Sequence, residues 1–320
     1  MIIKFPLFSP WGKYSLTILL CAIFLAACGM PPELPIDRAT TMIKPDMDLQ
    51  FKDPAWNPTG GYVAIMGSPC GNLCPSQIYK VDPTNGHTSL LFDLPIEYLA
   101  WTPNGMLGFH WGTQDNIESI LVTPVTKYNP VLIDRGRIAS WSPDGKYVAI
   151  FNDPYDSATN TYRSYLEIEN LQTRETKAVY QIPSSAGGSI NSIMWSSKGD
   201  KLVFTAWWSL GDNVVENHLY VTQSDGSNLN SYADSYDAKN DAGWMLDENW
   251  LYFVYGKDKE LAFENIEYDC TMYTGITGID DISISPDRTK FAFTHDGKLG
   301  IIDLEILLGS NFQWLGCPTA

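Results

Sequence analysis

The chain has 320 residues, a formal net charge of −16 and a sequence pI near 4.5. Such a surplus of acid repels phosphate backbones and anionic lipid headgroups, and no basic patch interrupts it, so nucleic-acid binding is excluded. The length admits either one large all-β domain or two ordinary ones.

Lys4 and Lys13 precede an apolar run over 16–27, the layout of a secretory signal peptide occupying residues 1–27. The run is shorter than the roughly 20 apolar residues of a membrane-spanning helix. It ends Leu25-Ala26-Ala27-Cys28, which resembles the lipobox of bacterial lipoproteins, whose cysteine receives a diacylglyceryl group and becomes the new N-terminus. The resemblance implies lipid on Cys28, palmitate among the acyl chains, and a mature protein on the extracytoplasmic side of a membrane of the bacterial cell envelope. Several acyl chains on one residue hold stably where one would not. Loss of the segment removes two lysines and no acid, moving the formal charge from −16 to about −18. Residues 28–48, with Pro31, Pro32, Pro35 and Pro45, read as a lipidated tether.

Of six cysteines, Cys21 leaves with the signal and Cys28 is taken by lipid, so Cys70, Cys74, Cys270 and Cys317 remain in an oxidising compartment. Four cysteines allow three pairings. The short loop Cys70-Gly71-Asn72-Leu73-Cys74 favours a local bridge, which leaves Cys270 for Cys317. Without neighbouring histidines these thiols are a poor zinc set, and no metal is expected.

From residue 49 onward the sequence repeats. Ala55-Trp56-Asn57-Pro58-Thr59-Gly60, Ala100-Trp101-Thr102-Pro103-Asn104-Gly105 and Ser140-Trp141-Ser142-Pro143-Asp144-Gly145 are copies of one unit, each followed by an apolar strand. Weaker copies centre on Trp195, Trp244 and Ile284. The anchors at 56, 101, 141, 195, 244 and 284 are 45, 40, 54, 49 and 40 residues apart, the spacing of four-stranded propeller blades. Proline presets the turn and glycine or asparagine accepts positive φ, so each unit opens with a tight reversal between two strands. A second strand pair follows, as in Gln77-Ile78-Tyr79-Lys80-Val81 and Lys298-Leu299-Gly300-Ile301-Ile302. The expected fold is all-β, a six-bladed β-propeller of four-stranded antiparallel blades over 49–320.

The turn Trp141-Ser142-Pro143-Asp144-Gly145 resembles the signature of the TolB-type, WD-repeat-like propeller family, and the resemblance covers roughly 49–316. It implies a fold and leaves function open, because one superfold hosts many activities. Residues 29–48 are too few for the separate N-terminal domain of the family's namesake, so partner-binding roles of that domain do not carry over.

Loops between second and third strands are uneven, and long loops on a rigid scaffold gather binding residues. They supply the binding-face candidates His110, Trp111, Tyr155, Arg163, Trp207, Trp208 and His295, and the segment 232–237 adds Tyr236 to the same face, aromatics and charges suited to a glycan or a protein partner. Packing between blades is the competing role for Trp207 and Trp208. Asp234, Asp237 and Asp241 offer oxygens but fit no EF-hand spacing and read as a solvated acidic loop. His87, His110, His218 and His295 are scattered over four units, although His110 and His295 both follow second strands and can approach a central opening. No Gly-x-Ser-x-Gly elbow, Walker loop or dinucleotide fingerprint occurs, so no catalytic residue and no cofactor is assigned. The expected function is a non-enzymatic binding or scaffold module, held at a membrane through Cys28, for an envelope protein or glycan. The alternative is a propeller-type enzyme, a metal-assisted lyase or hydrolase acting on a carbohydrate or lactone.

Overall fold

The structure, a computed structural model, describes residues 36–309 apart from the short segments 72–73, 95–97, 113–117, 157–160, 184–187, 212–213 and 233–237. A short helix α1 (Ile36–Ala39) runs into β1 (Thr40–Met42). Blade one holds β2 (Gln50–Trp56), β3 (Val63–Ser68), β4 (Gln77–Val81) and β5 (Thr88–Phe92); blade two holds β6 (Leu99–Trp101), β7 (Met106–Gly112), β8 (Glu118–Pro124) and β9 (Val131–Arg135). Blade three is β10 (Ile138–Trp141), β11 (Tyr147–Asn152), a two-stranded ribbon β12 (Tyr155–Asp156) and β13 (Thr161–Tyr162), then β14 (Tyr165–Asn170) and β15 (Thr176–Gln181). Blade four is β16 (Gly188–Trp195), β17 (Lys201–Gly211), β18 (Val214–Gln223) and β19 (Asn230–Tyr232). Blade five is β20 (Ala238–Trp244), β21 (Trp250–Tyr255), β22 (Glu260–Asn265) and β23 (Cys270–Tyr273). Blade six is β24 (Asp281–Ile284), β25 (Lys290–His295) and β26 (Lys298–Asp303), and a final helix α2 (Leu304–Leu308) follows.

In blades one to five the strands lie in chain order, whereas blade six takes its outer strand from the other end of the chain, as β24-β25-β26-β1. Thr40, Thr41 and Met42 pair with Ile302, Ile301 and Gly300. The ring therefore begins at Thr40, inside the 28–48 stretch whose composition reads as a tether. First strands of successive blades touch in a closed cycle, blade six meeting blade one through β24 and β2. The architecture is a six-bladed β-propeller, as the repeat predicts.

The core is six wedges instead of one mass. Val63 and Ile65 pack against Leu299 and Ile301 of blade six, while the alternate residues Ala64 and Met66 pack against Leu107 and Phe109 of blade two. Period-two alternation thus makes every middle strand apolar on both faces, because both faces are covered by a neighbour. The turn motif closes on itself: Ser142 Oγ accepts from Tyr147 N at 3.0 Å and donates to Asp144 Oδ1 at 2.7 Å. Gly145 occupies the left-handed position at φ 70. Glycine is also required at 108, where a Cβ would stand 2.5 Å from Trp141 Cη2.

Cys70 and Cys74 are bridged, with Cα atoms 5.5 Å apart. Cys270 is disulfide-bonded; Cys317, like Cys28, lies outside the described residues. Among the described residues no helix is long and apolar enough to cross a membrane.

Candidate functional site

The first strands run side by side around a central channel, and the residue three places before each anchor faces the adjoining blade. These residues are Asp53, Tyr98, Ile138, Ser192, Asp241 and Asp281. Asp281 Oδ2 accepts from the backbone N–H of Asp53 at 3.1 Å and from Thr294 Oγ1 at 3.0 Å. Asp241 Oδ2 accepts from Ile282 N at 2.8 Å, Ser192 Oγ accepts from Ala242 N at 3.1 Å, and Tyr98 Oη donates to Ala139 O at 2.9 Å. Apart from the Thr294 bond, which stays within blade six, each crosses from one blade to the next, so these polar groups clasp the ring.

A second tier lies one turn deeper. Indole N–H groups of Trp101, Trp195 and Trp244 donate to the carbonyls of Ala55, Ser140 and Met194 at 3.0, 2.9 and 3.2 Å. In each case the acceptor immediately precedes the anchor of the preceding blade. Blade six carries Ile284 at this position, and the buried Trp56 Nε1 beside it has no hydrogen-bond partner among the described residues. The seam between blades six and one relies instead on Trp56 N donating to Ser283 Oγ at 3.4 Å, on the Asp53–Asp281 bond and on β1.

At the end of the channel remote from the Trp-led turns, a mouth of about 340 Å³ is lined by Asp53, Tyr98, His110, Arg137, Asn191, Asp241 and Asp281 among others. The channel below it, about 250 Å³, is walled by Trp56, Trp101, Trp141, Met194, Tyr252 and Ile284. Burial, and then the charge of Asp281, push the Asp53 carboxyl up to about 7 against the weaker pull of Lys52. Asp241 is held well above the ordinary carboxylate range by burial and by Asp281, although the Ile282 N–H counteracts this. Burial, then Asp241 and Asp53, raise the Tyr98 phenol. Close to neutral pH the mouth therefore presents protonated as well as ionised carboxyls, so it offers both donors and acceptors to a polar ligand. Among the described residues no three His, Cys, Asp or Glu side chains converge as metal ligands.

Of the residues singled out from sequence, His110 reaches this mouth, 3 % exposed at the end of β7. Trp111 follows it on β7 and Tyr155 pairs with Tyr162 in the ribbon, but their side chains lie outside the described set, as does the whole of Tyr236. Arg163 is exposed beside the ribbon, its N–H bonded to Pro154 O at 3.0 Å. Neighbours on a strand face opposite ways, so Trp207 is half-buried while Trp208 enters the wedge between blades three and four and stacks on His218 at 4.7 Å. Trp208 is thus a packing residue and not part of an open binding face. His295 does not join His110: its Nδ1 lies 2.6 Å from Gly278 O, and the residue is not among those lining the mouth.

Sequence reasoning missed Asp53, Tyr98 and Asp281, and placed Asp241 in an acidic loop when it belongs to β20. The signal was present, since all stand at one offset from the anchors. The face is also lopsided, because β17 and β18 pair out to Gly211 and Val214 and blade three adds its ribbon, whereas blade six turns directly from His295 to Lys298.

No protein-family profile and no curated protein matches the chain. Solved structures do match in fold. A gluconolactonase from Xanthomonas campestris is 12% identical over 86% of this chain and 94% of its own, with a TM-score of 0.57. An oligogalacturonate lyase in complex with manganese is 11% identical over 83% and 93%, with a TM-score of 0.53. TolB from Acinetobacter baumannii is 14% identical over 93% of this chain and 71% of its own, with a TM-score of 0.52. Identities this low establish architecture alone, and the architecture is that of a TolB-like, six-bladed β-propeller.

Proposed function

We propose that the protein is a bacterial envelope lipoprotein, exported by residues 1–27 and held on the extracytoplasmic side of a membrane by lipid on Cys28, palmitate included. There it binds an envelope protein or a glycan, without catalysis, at the mouth face. The observation that carries this reading is how the channel acids are used. The carboxylates of Asp241 and Asp281 are bonded to backbone N–H groups of the next blade, and no nucleophile–base pair is formed among them. A fixed polar rim beside raised hairpins suits recognition.

The second reading, a metal-assisted lyase or hydrolase on a carbohydrate or lactone, is favoured by one feature: a carboxyl poised near 7 in a mouth that His110 also lines. Likeness to a lyase and a gluconolactonase is compatible with it but counts only for fold.

Affinity capture from envelope extracts and on glycan arrays, comparing wild type with Arg137→Ala and Asn191→Ala, tests the binding role. Loss of the same captured species in both variants supports it. Unchanged capture, together with turnover of oligogalacturonate or a lactone on adding manganese, calcium or zinc, would replace it with the enzymatic one. Metabolic labelling with an alkyne-bearing palmitate, lost in Cys28→Ala, tests the anchor.

A further inference from the structure

We infer that the propeller lies with its turn face, the side of the Trp-led turns, against the bilayer at blades five and six, so that the channel mouth looks away from the membrane. The inference rests on the proposed lipid at Cys28. Thr40 pairs with Ile302 and Met42 with Gly300, so the chain enters β1 from the Asp303 end of β26. Asp303 pairs with Lys290, the residue that opens β25 just after the Pro286 turn. The entry point is therefore on the turn face, where α1 and α2 lie and where Ile36 and Ala39 pack with Leu304, Leu307 and Leu308.

Covalent reach then restricts the pose. Eight residue steps separate Cys28 from Ile36, and whatever their conformation they span at most about 28 Å. A six-residue strand such as β25 is roughly 20 Å long, so seating the mouth face on the membrane would spend most of that reach climbing the blade. Seating the turn face needs none of it.

The surface beside the entry point fits a lipid interface. Leu246, in the turn between β20 and β21, is 69% exposed, and Ile306 on α2 is 45% exposed. Tyr268, in the turn between β22 and β23, is exposed on the same side. At the opposite end these blades show Lys257, Asp258, Asp280, Asp296 and Lys298, which suit water. Exposed apolar side chains near an acyl anchor suit a surface resting on headgroups, and the acids beside them, Asp247, Glu248, Glu267, Asp269 and Glu305, restrict that surface to zwitterionic ones.

The test uses full-length acylated protein in phosphatidylcholine vesicles carrying a nitroxide lipid. Leu246→Cys or Lys257→Cys is labelled with a fluorophore without reduction, so that the native bridges stay closed. Quenching about threefold greater at 246 than at 257 is expected, given faces about 20 Å apart. Equal or reversed quenching of vesicle-bound protein overturns the orientation and leaves the anchor standing. Failure of the protein to float with vesicles overturns the anchor, and the orientation with it. Shielding at 246 that persists in Cys28→Ala without vesicles would assign the patch to contact between copies and likewise overturn the proposal.

Discussion

Trp56 and Trp195 hold the same position in two blades and are 7% and 4% exposed, yet only the indole of Trp195 has an acceptor, Ser140 O at 2.9 Å. Replacing either with phenylalanine removes the same atoms from a packed wedge, a transfer and cavity loss on the order of 2 kcal/mol. In Trp195→Phe the Ser140 carbonyl also loses a buried donor, adding about 1 kcal/mol or more. In Trp56→Phe a buried N–H without a partner is removed, and about 1 kcal/mol or more of desolvation cost goes with it. The two variants should differ by about 2 kcal/mol, Trp195→Phe being the less stable. For a ring of this size that is about 4–8 °C in melting temperature. Far-ultraviolet circular dichroism during thermal and urea unfolding reads the gap without depending on tryptophan emission. If Trp56→Phe is destabilised as much as Trp195→Phe, the indole tier does not hold the blades together and the argument from hydrogen bonds fails.

Asp53 is raised to about 7 in the fold against roughly 4 in an unfolded chain, so the folded state binds the extra proton between those values. Its contribution to stability is therefore full below about pH 4 and lost as pH rises towards 7; Asp53→Asn should flatten the melting profile across that window and melt higher than wild type at pH 8, and parallel profiles would reject this. Gly145→Ala meets no atom within 4 Å and suffers only the left-handed backbone, about 1–2 kcal/mol, whereas Gly108→Ala drives a methyl into Trp141 and should unfold at distinctly lower urea; the reverse order would contradict the packing described. Deleting residues 36–42 bares the edge of β26 and should lower the melting temperature and promote self-association seen by light scattering. A deletion variant that stays monomeric and melts as wild type does would show that the ring closes without β1.

The blades were legible because their signal is local and repeated: an anchor, a proline and a positive-φ glycine within six residues specify a reversal whatever the rest of the chain does. β1 was not, since Thr40-Thr41-Met42 is largely exposed, shows no alternation, and finds its partner some 260 residues away. The mouth was half legible. His110, read from sequence as following a second strand, lies inside β7 and lines the mouth, but Asp53, Asp241 and Asp281 look like surface acids until the offset from each anchor is laid over the ring. Trp207 and Trp208 show the limit from the other side: composition marks both as binding residues, and only strand parity decides which one is buried.

The joint between β1 and β26 also has a mechanical meaning. Any pull transmitted from the N-terminal end to a body gripping the blades passes through the packing of α1 on α2 and three residue pairs of β1 before it reaches a complete sheet. That joint would part first under load, releasing slack and α1 while blades one to five keep all their strands. Tension relieved there, at the ring's edge, would leave the polar rim of the channel its shape.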